Sequence, residues 1–317
     1  MSSILSDNIG LHSGTSGIAL FMAYYDRIIH NKTDAGTRVI EILEHNIKCI
    51  DAQNGISHTI CNGISGFGWL CEHLRKLGFV EKDDIAFLDD LDSYLHVKMM
   101  DNLRFGNYDY LHGALGVGTY FLDRFEKKEV PTYLNDLLTG LEKSAIPCEN
   151  GAVKWISIID HEAGKIGTNI SLSHGMSSIA AFLSYLLQMN FETKRVESLL
   201  IRTILFILDQ ITYKEGSLSY FPSFSKESGT GNSRLGWCYG DLGIACVLRR
   251  AALVLQNKEW EEMSQGPLYG TSRSFPHNPG LWSWDEGIPY SHRLLLQCGR
   301  TQHNLSKHCP SPNGSSL

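Results

Sequence analysis

The sequence predicts an all-α fold: two layers of helices closed into an α/α toroid, incomplete at its C-terminal end. Three observations predict it. Five segments share one pattern, a polar residue, Gly-x-x-Gly or Gly-x-x-Ser, then an apolar helix start. Each opens a stretch with helical apolar period. A second amphipathic stretch usually follows before the next segment. Each repeat therefore reads as a loop, an inner helix and an outer helix, and such pairs close into a ring. An open solenoid is the competing arrangement.

The elements follow in order. Ser13-Gly14-Thr15-Ser16-Gly17-Ile18-Ala19 opens the first inner helix. Residues 37–50 (Val39, Ile40, Ile42, Leu43, Ile47) have the i, i+3, i+4 spacing of its outer partner. Asn62-Gly63-Ile64-Ser65-Gly66-Phe67 opens the second repeat, and residues 85–97 (Ile85, Leu88, Leu91, Leu95) supply its outer helix. His112-Gly113-Ala114-Leu115-Gly116-Val117 opens the third. Pro131 stands where the first residue of a helix is expected. His174-Gly175-Met176-Ser177-Ser178-Ile179-Ala180 opens the fourth, with an outer helix within 193–213. Tyr239-Gly240-Asp241-Leu242-Gly243-Ile244-Ala245 opens the fifth. The first glycines lie at 14, 63, 113, 175 and 240. The two wider gaps favour a ring with insertions: a strand-like excursion over 148–168 and a Gly- and Ser-rich loop over 215–236.

Composition narrows the function. The chain has 317 residues, 43% hydrophobic and 20% charged, which excludes a mostly disordered protein. Its formal net charge of −6 gives no basic excess, so nucleic acid is set aside as a partner. No apolar run reaches the roughly 18 residues of a membrane helix. The first residues show no signal peptide, so a cytoplasmic location is expected. The eight cysteines are scattered and read as reduced thiols. Cys238 is the exception.

If every Gly loop precedes an inner helix, the loops gather at one mouth of the ring, where helix N-termini present free N–H groups. The polar residues at that rim are His12, Asn62, Asp109, His112, His174, Arg234, Cys238 and Tyr239. A thiol, imidazoles, a carboxylate and a guanidinium around one cavity point to acid–base chemistry or a metal. His12 and His112 read as loop or rim residues, and Cys61 as packing. A glycosidase on a similar ring would need paired carboxylates, and the loops offer only Asp109 and Asp241.

Asn232-Ser233-Arg234-Leu235-Gly236-Trp237-Cys238-Tyr239-Gly240-Asp241-Leu242-Gly243 resembles the R-x-x-W-C-Y-G-D-x-G motif of the lanthionine synthetase C-like family, the lanthipeptide cyclases. Tyr108-Asp109-Tyr110-Leu111-His112-Gly113 resembles its Y-D-x-x-x-G segment, and Leu172-Ser173-His174-Gly175 its A-H-G segment. The resemblance runs from about Gly10 to about Leu255. It implies a toroid with a central zinc ion, for which Cys238 is a ligand. It implies acid–base roles for Asp109 and His174, with Arg234 beside them. The implied reaction adds a cysteine thiol of a precursor peptide to dehydroalanine or dehydrobutyrine, closing a thioether ring. Implied partners are the dehydrated peptide and the dehydratase and exporter of a biosynthetic complex, which would bring the protein to the membrane periphery.

The pattern departs from the family late in the chain. Its Cys-His-Gly motif, which supplies the other two zinc ligands, is absent. A sixth loop is expected near Leu281-Trp282-Ser283-Trp284-Asp285-Glu286-Gly287. Six of the nine prolines fall in the last 52 residues. A toroid domain over 1–260 and a divergent Pro/Ser/Gly-rich tail over 261–317 are therefore expected. A change of reading frame between about 256 and 282 would account for the tail. Alternatively, Cys298, His303, His308 and Cys309 replace the missing ligands. A third reading is a zinc-free, inactive member that binds peptide or acts as a scaffold.

Overall fold

The computed structural model describes residues 6–29, 34–52, 55–160, 163–213, 219–229, 233 and 236–267, all within one unit, Met1–Phe275. Five inner helices follow the five Gly loops: α1 (Thr15–Ile28), α3 (Ile64–Lys76), α5 (Ala114–Asp123), α7 (Met176–Gln188) and α9 (Asp241–Leu255). Outer helices alternate with them: α2 (Ala35–Ala52), α4 (Leu88–Arg104), α6 (Val130–Ser144), α8 (Thr193–Asp209) and the short α10 (Lys258–Met263), which spans residue 260. Consecutive inner helices pack on one another from α1 through to α9, which is the order a ring requires.

Steric limits explain the motif. A Cβ on Gly63 would lie 1.8 Å from the Ser57 carbonyl oxygen, and one on Gly175 2.0 Å from that of Asn169. The second glycine is constrained in the same way: Gly66 faces the Ile60 oxygen at 2.1 Å and Gly243 the Trp237 oxygen at 2.0 Å. Each loop thus folds back onto its own helix start; the first position is glycine in all five, and the fourth loop accommodates Ser178 at the second. The position five residues after the first glycine is also small throughout: Ala19, Gly68, Gly118, Ala180 and Ala245. A Cβ on Gly68 would meet the Tyr120 ring at 2.5 Å, so this position sets how closely α3 and α5 approach.

Leu115, Tyr120, Phe121, Leu134, Leu137, Leu183, Leu200 and Ile204 form the larger core between α5, α6, α7 and α8. Val39, Leu43, Phe67, Leu70, Leu74 and Leu88 form a second core under α1 to α4. Each such side chain contributes roughly 1.5–3 kcal/mol by leaving water. Arg124, at the end of α5, is buried and bonds Glu72 of α3 (2.6 Å) and Asp92 of α4 (2.7 Å). That network cross-links three helices.

The insertion over 148–168 is strand-like, as expected. β1 (Ile146–Pro147) pairs antiparallel with β2 (Val153–Lys154), and β3 (Ser157–Asp160) with β4 (Lys165–Gly167). The described part of 215–236 is loop with one 3-10 turn at Lys226–Ser228. Two boundaries are corrected. The outer helix of the second repeat begins at Leu88, because residues Asp83–Ile85 form a separate 3-10 turn. Asp89 and Asp90 then occupy the first helical turn, where the helix dipole favours carboxylates. Pro131 is the second residue of α6 rather than the first, still within the turn whose N–H groups need no helical acceptor.

Candidate active site

The five loops are stitched together in chain order by main-chain hydrogen bonds. His12 N donates to Cys61 O (3.1 Å), and Cys61 N to Leu111 O (3.1 Å). Tyr110 N donates to Ser173 O (3.1 Å), and Ser173 N and Oγ to Cys238 O (3.4 and 3.1 Å). The His12 and Trp237 rings, 6.0 Å apart, bring the first loop against the fifth. The rim expected from the motifs is therefore continuous from the first loop to the fifth.

Asp109 and His174 meet within it. His174 Nδ1 lies 2.5 Å from Asp109 Oδ2, and both side chains are mostly buried. A carboxylate has no proton to donate, so Nδ1 carries the hydrogen of this bond, and in the neutral ring Nε2 is the nitrogen with the lone pair. The other Asp109 oxygen, Oδ1, accepts from Leu111 N (2.7 Å) and His112 N (2.8 Å), which fixes the carboxylate. The His174 ring stacks 6.2 Å from His112 and 5.2 Å from Tyr239. The Tyr239 hydroxyl accepts from Asn169 Nδ2 at 3.2 Å. Cys238 is held by its carbonyl against Ser173, the residue before His174. The thiol is free and half-buried.

Burial acts on three ionisable groups of the stitched loops. Burial, with His112 nearby, lowers the His12 imidazole below its ordinary pKa. Burial, with Asp109 nearby, raises the Cys61 thiol. Burial pushes the Tyr110 phenol up to about 12. Each shift disfavours the charged form.

Other site expectations fall differently. Arg234 lies outside the described residues, as do the expected sixth loop and Cys298, His303, His308 and Cys309. Asp241 is buried and accepts Tyr220 N (2.7 Å) and Phe221 N (2.9 Å), so it anchors the loop ahead of α9 rather than facing Asp109 as a second acid. Its carboxyl is raised to about 6 by burial, against those two hydrogen bonds. For zinc, Cys238 is the one ligand position that the family motif marks among the described residues of the mouth. Among the described residues no three ligand atoms converge there within 4.8 Å of one another. The described donors do not by themselves fit a zinc ion.

One set of residues was missed from sequence. Asn8, Ser57, Asn107 and Asn169 each lie six residues before the first glycine. Each side-chain oxygen accepts the N–H two residues on, from Gly10, Thr59, Asp109 and Ser171 respectively. These turns fix the loop backbone ahead of each first glycine. Their signal was a repeated Asn or Ser at fixed offset, upstream of the segment compared.

A family model described as lanthionine synthetase C-like protein matches residues 6–281. A solved structure titled "Nisin cyclase" superposes with a TM-score of 0.72 at 15% identity, covering 94% of this chain and 78% of that one. At that identity the likeness is one of fold, and the fold is an α/α toroid. No curated protein matches this sequence.

Proposed function

Because the chain belongs to the lanthionine synthetase C-like family, we propose that it closes thioether rings in a dehydrated precursor peptide at the mouth of its toroid. The observation that carries this reading is the Asp109–His174 pair, held at 2.5 Å on stitched loops. A peptide cysteine has a pKa near ~8.5 and is mostly protonated at neutral pH. His174 Nε2 takes the S–H proton as sulfur bonds to the β-carbon of the dehydro residue. The alkene π-electrons move toward the carbonyl, giving an enolate. The imidazolium then returns the proton to the α-carbon. No water enters and no oxidant is needed. Asp109 orients the ring and stabilises its charged form. Arg234 is assigned to the enolate from its place in the motif. A reaction that removes water from Ser or Thr must supply the substrate, so a dehydratase is the expected partner, with an exporter as the acceptor of product. No described helix is long and apolar enough to cross a membrane. The division of the chain near residue 260 into toroid and tail belongs to this proposal.

Zinc dependence is the finer part. Cys238 is the assigned ligand, and zinc, when bound, would hold the incoming cysteine as a thiolate. To complete a three-ligand site, at least one further donor would have to come from outside the described residues. That no three described ligand atoms converge at the mouth favours a second reading, a zinc-free member that binds peptide without cyclising it. One experiment separates the two. A dehydrated, cysteine-containing peptide is incubated with chelator-washed or zinc-supplied protein, and alkylatable thiols are counted by mass spectrometry. Thiol loss that needs zinc and Cys238 supports the full reading. Peptide binding with no thiol loss under either condition establishes the second.

A further inference from the structure

We propose a second metal site, away from the mouth, formed by Asp7, His45 and Cys49 and selective for a zinc-like divalent ion. His45 and Cys49 are four residues apart on α2, so they share one face of the helix. Asp7 comes from the segment that leads into the first Gly loop. Cys49 Sγ is 3.4 Å from His45 Nε2 and 3.8 Å from Asp7 Oδ1, and His45 Nε2 is 3.8 Å from that same oxygen.

Cys49 Sγ lies within hydrogen-bonding reach of both partners, and the same spacings suit a shared ion. At 3.8 Å the imidazole and carboxylate are too far apart for a hydrogen bond. Three ligands of a tetrahedral zinc, with bonds of roughly 2.0–2.3 Å, sit about 3.4–3.6 Å from one another. The three observed edges lie close to that range. A thiolate, an imidazole and a carboxylate together favour zinc over magnesium or calcium, which take oxygen donors. The Ser6 carbonyl oxygen, 3.1 Å from His45 Nε2, adds a fourth donor beside the group. A cysteine thiol is mostly protonated at neutral pH. Binding one ion therefore releases the thiol proton, and His45 binds through Nε2 with its hydrogen moved to Nδ1.

The carrier segments are already in place. Asn46, beside His45, accepts the Thr15 hydroxyl (2.6 Å) and donates to Ser16 Oγ (3.2 Å), tying α2 to the start of α1. Thr15 N in turn donates to Asn8 O, one residue from Asp7 (2.9 Å). The ion would clip the leading segment onto the first outer helix. It would stabilise the first repeat and take no part in chemistry at the mouth.

The test is cobalt(II) titration of the full, chelator-washed chain, read as the thiolate-to-cobalt charge-transfer band, with zinc displacement afterwards. The expected band appears in the wild type and in Cys238→Ala, is absent in Cys49→Ser, and saturates more readily as pH rises. His45→Gln sits at a partly exposed position that should tolerate the change. It is expected to keep the wild-type circular dichroism spectrum while weakening cobalt binding at least about tenfold. Absence of the band in the folded wild type overturns the site. So does a band that survives Cys49→Ser or that disappears only in Cys238→Ala. The last result would instead locate the metal at the mouth, so this site and the proposed cyclase chemistry can fail independently.

Discussion

Asp109 uses its two oxygens for different tasks. One holds the loop turn through Leu111 N and His112 N, and the other faces the His174 imidazole. Asp109→Asn keeps an oxygen for the turn but removes the charge that stabilises the imidazolium. We expect it to lower thioether closure by about 10²- to 10⁴-fold with peptide affinity little changed, measured by thiol-count kinetics and direct binding. Asp241 makes a prediction of opposite character. Its carboxyl is raised to about 6 in the folded state, against 3.8 as the ordinary value. The folded protein therefore holds this proton more tightly than the unfolded chain. The group's contribution to stability is full below about pH 4 and is lost as pH rises through about 6, by on the order of 2–3 kcal/mol at most. Denaturant titrations of Asp241→Asn between pH 4 and 7 are expected to lack that decline. An unchanged pH profile would remove Asp241 as its source.

At the scale of the element, the glycine loops decide the architecture. Gly66→Ala forces a methyl against the Ile60 carbonyl at 2.1 Å, backbone against backbone, with no flexible side chain to yield. We expect it to cost roughly 2–4 kcal/mol. Gly36→Ala is the control: its nearest neighbour would be the Asp26 carboxylate at 3.4 Å, and helix propensity favours alanine, so stability should change by about 1 kcal/mol or less. Urea midpoints of the two variants test the pair. This steric demand is why the inner helices were legible from sequence, since a residue without Cβ leaves a visible mark at each loop. The start of α4 was not legible in the same way. Ile85 continues the apolar period of Leu88, Leu91 and Leu95, yet the chain makes a separate 3-10 turn there. Periodicity reports a buried face, and both conformations bury Ile85. The Asn and Ser turns ahead of the loops were overlooked because their partners are main-chain N–H groups, which no residue type advertises.

Across the whole molecule, the site is a product of neighbouring repeats packing on one another. Asp109 and His174 are 65 residues apart, and their contact depends on Tyr110 N reaching Ser173 O while α5 packs on α7. The motifs marked both residues as site members, but the hydrogen bond between them follows only from the packing of the third repeat on the fourth. The same stitching brings Cys238 to Ser173 and Trp237 to His12. It places the proton-handling pair in the same set of loops as His12, Cys61 and Tyr110, whose charged forms burial disfavours. The central claim is that His174 moves the proton in thioether closure. The most direct measurement is the rate at which a dehydrated, cysteine-containing peptide loses alkylatable thiol, compared between the wild type and His174→Ala at equal peptide occupancy. The account predicts thiol loss in the wild type and a rate at least about 10²-fold lower in the variant, with the circular dichroism spectrum retained. Equal rates, or no thiol loss with either protein at saturating peptide, would contradict it.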